Sequence, residues 1–229
     1  MTDENQKVFK SKDNRDINML PGDPQGSPDE SFSEGKLPRD TVMFIDEGFL
    51  SKLSKYFGKG KYIKFDRFNF AKMLSEKERL ILKDVFLYIA PPFQSNPPTK
   101  EEELKKEGYD HLIKKLKDKK IIIREGRCQR VKVDGKFEYN QKAVDVYLAM
   151  DLTNVITKYP NAKRIILISS DSDFVPVIKN LEENGIKTIL YTYYEKNRDS
   201  NFSRSNHLIK SVYKYKLIQK EDMTSCLLK

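Results

Sequence analysis

Four aspartates, widely separated in the sequence, are the residues whose type and position best suit chemistry. Asp46 directly follows a short apolar run, and Asp145 lies early in a segment with helical periodicity. Asp171 and Asp173 follow a second apolar run. If the two runs are neighbouring strands, the four carboxylates meet, and such a cluster is costly without a cation because like charges repel. Carboxylate oxygens suit Mg²⁺ or Mn²⁺, and a bound ion can activate water for hydrolysis of a phosphodiester.

Each of these aspartates also has a purely local explanation. An aspartate that follows a strand often caps a helix or forms a turn, and this would account for Asp46 or for Asp173. Asp171 is harder to explain in this way, because two aspartates flanking one serine are unusual for a cap alone.

The segment from Gln141 repeats its apolar residues with the period of a helix, so Asp145 is predicted to be helical. On that helix Lys142 would share a face with Asp145, because residues three apart are neighbours. The two residues form either an ordinary surface pair or a functional one, with Asp145 at a metal ion and Lys142 near the scissile phosphate. Asp151 lies about 120° round the helix from Asp145, which indicates a supporting or structural role.

An alternation of apolar strands and amphipathic helices must position these residues. Strands are predicted at Thr41–Ile45, Val85–Ala90, Ile121–Ile123, Arg164–Ile168, Ile186–Tyr191 and near Tyr213–Ile218, with a loop at Asp46-Glu47-Gly48. Helices are predicted after Asp66, from Thr99 through Lys117 with a Thr99–Glu102 capping box, from Gln141, from Val175 to Asn184 and near Ser205–Ser211. The residues around Asp134-Gly135 predict a small β-hairpin insertion. This order indicates an α/β fold with a mostly parallel sheet covered on both faces, in which ligands bind beyond the carboxyl ends of the strands.

The charge of the chain is unevenly distributed. The 229 residues carry a net charge of +9, whereas residues 1–40 hold nine acidic and six basic residues, a charge of −3, so the remainder carries +12. A basic body indicates a polyanionic partner, although a solvated lysine-rich surface gives the same count. Residues 1–38 contain few large apolar residues and are predicted to be a disordered acidic tail. Residues 39–220 form the predicted domain, and residues 221–229 are predicted to be a C-terminal tail.

Several classes of protein are disfavoured by what the sequence lacks. No stretch approaches the ~20 apolar residues needed to cross a bilayer, and the N-terminal residues do not resemble a secretory signal. The two cysteines, Cys128 and Cys226, are far apart, so a disulfide framework and a Cys/His zinc site are not expected, and a cytoplasmic location is predicted. The chain has neither a P-loop nor a GxGxxG motif, which argues against a nucleotide motor or a dinucleotide enzyme.

Three segments resemble the signature blocks of NYN domains, which belong to the PIN-like superfamily, and the similarity is closest to the LabA-like branch. The segments are FIDEGFL at 44–50, QKAVDVYLAMDL at 141–152 and ILISSDSDFVPVI at 166–178. This resemblance implies a Rossmann-like α/β/α sandwich and metal-dependent RNA cleavage by aspartates matching Asp46, Asp145, Asp171 and Asp173. Phe49 departs from the pattern, since many NYN domains have asparagine there, and the change removes one polar group from the expected metal or phosphate shell.

Contacts with RNA would require positive charge and stacking surfaces near the active edge. Tyr191, Tyr193 and Tyr194 could supply a stacking face, although strand tyrosines usually pack. The residues predicted to contact nucleic acid are Arg124, Arg127, Arg130, Ser170, Asn201, Ser203 and Arg204. Ordinary surface placement is an equally good explanation for the three arginines of the REGRCQR segment.

The sequence therefore predicts a metal-dependent endoribonuclease that binds RNA, uses Mg²⁺ or Mn²⁺ and does not bind a membrane. The alternative is a non-catalytic RNA- or protein-binding regulatory module on the same fold, as some members of the LabA-like branch are regarded as regulators. A homo-oligomer or a protein partner remains open. A Toprim-like site would also use an Asp-x-Asp pair, and a haloacid dehalogenase would need that pair after the first strand, but the block containing Lys142 and Asp145 fits NYN domains better.

Overall fold

A computed structural model of the chain describes residues 39–195 and 202–228. The predicted acidic tail, residues 1–38, lies outside the described residues. The strands are β1 Arg39–Asp46, β2 Leu80–Ile89, β3 Ile122–Glu125, β4 Arg127–Val133, β5 Lys136–Lys142, β6 Arg164–Ile168, β7 Lys187–Thr192 and β8 Lys214–Leu217. The helices are α1 Glu47–Phe57, α2 Arg67–Lys77, α3 Lys100–Asp118, α4 Val144–Lys158, α5 Val175–Glu183, α6 Asn206–Ser211 and α7 Lys220–Thr224.

Six strands form one sheet in the order β3-β2-β1-β6-β7-β8, and every neighbouring pair is parallel. From β1 the strands follow chain order outward to β3 on one side of the sheet, and from β6 they follow it outward to β8 on the other. The strand order therefore reverses between β1 and β6, and a crevice at such a switch point is where open α/β sheets bind ligands. The pairing of Ile45 with Ile168 brings the carboxyl ends of these two strands side by side.

Two apolar cores lie on opposite faces of the sheet. Along β1, Val42 and Phe44 belong to one core and Met43 and Ile45 to the other, as the alternation of side chains along a strand requires. Helices α1, α2, α3 and α7 contribute buried residues to the core of Met43, and α4, α5 and α6 contribute to the other. All four of these β1 side chains are fully buried. The architecture confirms the predicted α/β/α sandwich with a parallel sheet.

The predicted hairpin is confirmed as a separate two-stranded sheet of β4 and β5. Its turn residues Asp134 and Gly135 both have positive φ, 49° and 79°, which is the backbone of a type I′ hairpin turn. Every residue of β5 is exposed. The hairpin leaves the sheet after β3 and returns to it through α4.

The helix predicted from Gln141 begins later, at Val144, because β5 extends through Lys142. Ala143 separates the two elements with a left-handed backbone, φ 67°. Lys142 is therefore a strand residue that lies opposite Arg127, and the prediction that it shares a helical face with Asp145 was wrong.

The segment after β1 was predicted to be a loop, but it begins helix α1 at once. Asp46 caps this helix, since its carboxylate accepts a hydrogen bond from the Phe49 amide. Phe49, Leu50 and Leu53 then form a buried face with helical spacing. Burial of this face outweighs the preference of Gly48 for a loop.

The described part of the predicted C-terminal tail belongs to the folded domain. Helix α7 buries Met223 in the core, and the segment after it pairs with the chain before α2 through a bridge between Phe65 and Leu227. The sequence did not indicate this because a five-residue helix is too short to show a period. Among the described residues, no helix is long and apolar enough to cross a membrane.

Candidate active site

Asp46 lies where β1 ends and α1 begins, and its two carboxylate oxygens have different partners. Oδ1 accepts from the Phe49 amide at 3.1 Å, while Oδ2 accepts from the Ser169 hydroxyl at 3.3 Å. The pKa of Asp46 is raised to about 6, mainly by burial and to a smaller extent by the charge of Asp145, against the lowering effect of both hydrogen bonds. Capping of α1 therefore uses only one oxygen of this carboxylate. The other oxygen faces the end of β6.

The segment after β6 folds around the buried side chain of Ser169. The Ser169 hydroxyl accepts from the Asp171 amide at 3.2 Å while it donates to Asp46. Asp171 in turn accepts from the Asp173 amide at 2.9 Å, which starts a short 3₁₀ turn ahead of α5. Both aspartates of the DSD triplet are thus held at the carboxyl end of β6, and Ser169 joins the Asp171 backbone to Asp46.

Asp145 is exposed on the first turn of α4. Its pKa is raised, first by partial desolvation and then by the negative charges of Asp171 and Asp173. Because Asp145 also raises the pKa of Asp46, the four aspartates form one electrostatically coupled group. None of the four forms an ion pair with a basic side chain in residues 39–195 or 202–228.

This aspartate cluster, defined as Asp46, Asp145, Asp171 and Asp173, fits a divalent cation by the chemistry of its donors. Carboxylate oxygens are the ligands that Mg²⁺ and Mn²⁺ prefer. A cation would relieve the repulsion that, after desolvation, contributes to the raised pKa of Asp46 and of Asp145. The arrangement is open, however. Within the described part of the chain, no three His, Cys, Asp or Glu side chains stand close enough to form a ready-made metal site.

Two residues at the cluster were not predicted from the sequence. A Cβ atom added at Gly48 would lie 3.1 Å from Asp46 Oδ1 and 3.6 Å from Gln141 Oε1. The side chain of Gln141, near the end of β5, therefore reaches the start of α1 beside Asp46. Gln141 belongs to one of the blocks that resemble NYN domains. Because the sequence predicted a helix from this residue, its position on a strand beside Asp46 was not expected. Gly48 leaves the space that both side chains use.

Phe49 does not border the cluster with its side chain. It is buried in the core and meets Phe202 edge-on, with ring centroids 6.5 Å apart. At this position the chain contributes only its backbone amide, which binds Asp46. An asparagine at this point of α1 would lie in an apolar environment.

Arg124, one of the residues predicted to contact RNA, has a partner within the fold. Its Nε and Nη2 atoms donate to the two carboxylate oxygens of Asp151, each at 2.7 Å, and Tyr88 donates to Asp151 Oδ2 at 3.0 Å. Asp151 is buried, so its charge requires such a partner. The contact of Arg124 with RNA stays a prediction, and the buried Asp151 has one of the two roles, supporting or structural, that the sequence indicated.

The other predicted RNA-binding residues lie in two places. Arg127 and Arg130 are exposed on β4, where the Arg130 guanidinium lies between the rings of Phe93 and Phe137 at 4.6 and 4.5 Å. Ser170 follows β6 and shares a small crevice with Ser203. Arg204 lies over the Tyr194 ring at 5.1 Å. Asn201 lies outside the described residues.

The sequence profile of the NYN domain matches residues 44–212, a span that contains the whole aspartate cluster. The chain belongs to the NYN domain family. This membership confirms the resemblance and, with it, the PIN-like superfamily. It makes the chain a member of a family that is generally nuclease-like.

The solved structures show the fold of this NYN domain in another protein. A protein of unknown function from Vibrio parahaemolyticus is 15% identical, with a TM-score of 0.53, over 85% of this chain and 99% of that one. At this identity the likeness concerns the fold alone. A ferredoxin-flavin thioredoxin reductase from Clostridium acetobutylicum, 10% identical over 80% of this chain and 65% of its own, has a TM-score of only 0.17 and carries no argument. No curated protein matches the sequence.

Proposed function

We propose that this NYN domain is a metal-dependent endoribonuclease that hydrolyses phosphodiester bonds in RNA. The observation that carries the proposal is the aspartate cluster, which lies at the switch point of the sheet and has no compensating basic side chain among the described residues. Uncompensated carboxylates at this place are costly to the fold unless they bind something positive. The nuclease-like character of the family agrees with this assignment.

Mg²⁺ or Mn²⁺ is the proposed cofactor, held by Asp46, Asp145, Asp171 and Asp173. When bound, such an ion lowers the pKa of a coordinated water and offsets negative charge on a phosphoryl oxygen.

The chain itself supplies orientation and charge. Ser169 holds Asp46 Oδ2 toward the end of β6, and it holds the Asp171 backbone at the same time. Lys142 is exposed at the end of β5, next to Gln141, and is the proposed contact for the phosphate beside the scissile bond. Arg127, Arg130, Ser170, Asn201, Ser203 and Arg204 remain proposed contacts to RNA.

Two finer assignments belong to the same proposal. The LabA-like branch is suggested by the three sequence blocks, and a cytoplasmic location fits the two free cysteines. Neither assignment affects the chemistry proposed for the aspartate cluster.

A non-catalytic RNA- or protein-binding module is the second candidate. The open arrangement of the four carboxylates favours it. Such a module would bind RNA equally well with and without a divalent ion.

The decisive experiment is cleavage of labelled single-stranded RNA by the purified chain with Mn²⁺, Mg²⁺ or EDTA. Asp145→Asn should abolish cleavage while leaving the melting temperature nearly unchanged, because Asp145 is exposed. Asp110→Asn on α3 is the matched control, since Asp110 is also exposed and helical but pairs with Lys106. Cleavage that persists in EDTA or in Asp145→Asn would refute the proposal.

A further inference from the structure

An open groove of about 760 Å³ lies beside α1, and its wall is aromatic. The rings of Tyr56, Phe57, Tyr193 and Phe202 contact one another, with centroid separations between 5.1 and 5.8 Å. Phe202 connects this group to the core through its edge contact with Phe49. The groove is therefore a surface extension of the apolar core that stays accessible, with Tyr56 44% exposed.

Lysines surround these rings. Lys52, Lys55, Lys59 and Lys220 line the groove and are exposed, and within residues 39–195 and 202–228 no acidic residue lines it. The Lys52 ammonium lies 5.2 Å from the centre of the Phe202 ring. Glu195 lies next to the groove, where it accepts a hydrogen bond from the Tyr56 hydroxyl. This bond fixes the orientation of the Tyr56 ring before any ligand arrives.

Aromatic faces combined with lysines are the features by which proteins hold unpaired bases and the phosphates that link them. We propose that the groove binds a single-stranded segment of RNA, with a base stacked on Tyr56 and phosphates held by Lys52 and Lys55. A duplex keeps its bases stacked on one another, so it cannot use the aromatic wall. The positive rim makes an anionic polymer a better occupant than an apolar partner.

The groove and the aspartate cluster share helix α1, which Asp46 caps and which carries Lys52, Lys55 and Tyr56. The helix begins at Asp46, so Lys52 lies about 9 Å and Tyr56 about 15 Å further along its axis. Lys52 and Tyr56 are four residues apart and share a helical face, with Lys55 beside them. A strand cut at the cluster would thus have its neighbouring nucleotides in the groove. This route rests on the proposed function, whereas binding in the groove does not.

The test is fluorescence anisotropy of the full chain with a labelled 12-nucleotide oligoadenylate and with a 12-base-pair RNA duplex, both in EDTA so that cleavage does not interfere. Tyr56→Leu should weaken binding of the single strand about tenfold, within the range for one stacked base, and leave the duplex affinity unchanged. Tyr109→Leu is the matched control, because Tyr109 is also a helical tyrosine that donates to a glutamate, but on α3.

Two exposed lysines provide a second variant that does not threaten folding. Lys52→Gln with Lys55→Gln should reduce the slope of log K against log salt by about 1.4, since each phosphate contact on a single strand contributes about 0.7. The paired change Lys114→Gln with Lys115→Gln on α3 should leave the slope unchanged.

The outcomes separate this inference from the proposed function. Unchanged single-strand affinity in both groove variants, or equal losses for single strand and duplex in Tyr56→Leu, overturns the groove and leaves the nuclease assignment standing. Loss of binding in the groove variants, in a chain that never cleaves RNA, supports the groove and overturns the nuclease.

Discussion

Asp46 and Ser169 join the two central strands of the sheet where both strands end, through a hydrogen bond of 3.3 Å from the Ser169 hydroxyl to Asp46 Oδ2. The same hydroxyl accepts from the Asp171 amide. One buried side chain therefore sets the position of two members of the aspartate cluster, although it carries no charge itself.

Ser169→Ala should reduce RNA cleavage about tenfold at saturating metal, because Asp46 and Asp171 lose their common partner. The free energy of unfolding should fall by about 1 kcal/mol, the typical value for one such hydrogen bond. Ser75→Ala is the control, since Ser75 is equally buried and its hydroxyl donates to the Ala71 carbonyl in α2. Single-turnover kinetics and urea unfolding measure the two effects. Equal cleavage rates in both variants would contradict this role of Ser169.

Asp46→Asn should stabilise the metal-free protein at pH 7.5 and have little effect at pH 4. Burial raises the pKa of Asp46 from 3.8 to about 6, so the folded state holds this proton more tightly than the unfolded state. The free energy of unfolding contributed by Asp46 is therefore present below pH 4 and lost as the pH rises through about 6. Asparagine can still cap α1, so a gain of roughly 2 kcal/mol is expected at pH 7.5. Calorimetry in EDTA across this pH range provides the measurement, and a variant less stable than the wild type at pH 7.5 would contradict it.

Arg124→Met should destabilise the fold by about 2 to 3 kcal/mol, because it leaves the buried Asp151 carboxylate without its cation. Cleavage per folded molecule should remain unchanged, since both donors that Arg124 offers in the structure are already engaged by Asp151. The double variant Arg124→Met with Asp151→Leu should recover part of the loss. Denaturant unfolding and RNA titrations distinguish the two roles. A weaker affinity for RNA with normal stability would restore the phosphate contact that the sequence suggested.

Gly48→Ala should lower cleavage about tenfold without unfolding the domain. The added methyl group would lie 3.1 Å from Asp46 Oδ1, and one of the two must shift. Gly108→Ala on α3 is the matched control, because nothing lies within 4 Å of its added methyl group. That control should gain about 0.5 to 1 kcal/mol of stability from helix propensity and retain full activity. Kinetics at several Mn²⁺ concentrations would show whether the Gly48 variant loses metal affinity. Full activity of this variant would contradict the prediction.

The sequence predicted those parts of the fold that local chemistry specifies. The strand at Arg164–Ile168 has the predicted bounds because it is an apolar run enclosed by polar residues. Asp66 and Thr99 cap the helices expected of them, since each accepts hydrogen bonds from amides two or three residues further on. The placement of Asp46 and Asp171 at the carboxyl ends of neighbouring strands followed from strand alternation and the family resemblance together.

The features that the sequence did not predict depend on contacts between distant segments. Gln141 and Lys142 looked helical, but they extend a hairpin strand that ends only at the left-handed Ala143. Arg124 and Asp151 form their hydrogen bonds only when β3 and α4 have packed together. The basic groove combines residues of α1 with Tyr193, Phe202 and Lys220, and the last of these stands next to a segment expected to be a tail.

The reversal of strand order between β1 and β6 has a consequence for synthesis of the chain. Asp46 ends β1 and Asp171 follows β6, so the two residues lie at neighbouring strands of the sheet. In the sequence, however, they are separated by the whole segment from α1 to β6. A nascent chain therefore carries an incomplete aspartate cluster until Asp173 has left the ribosome. For an enzyme that cuts RNA, this order of assembly would spare the message from which it is being translated.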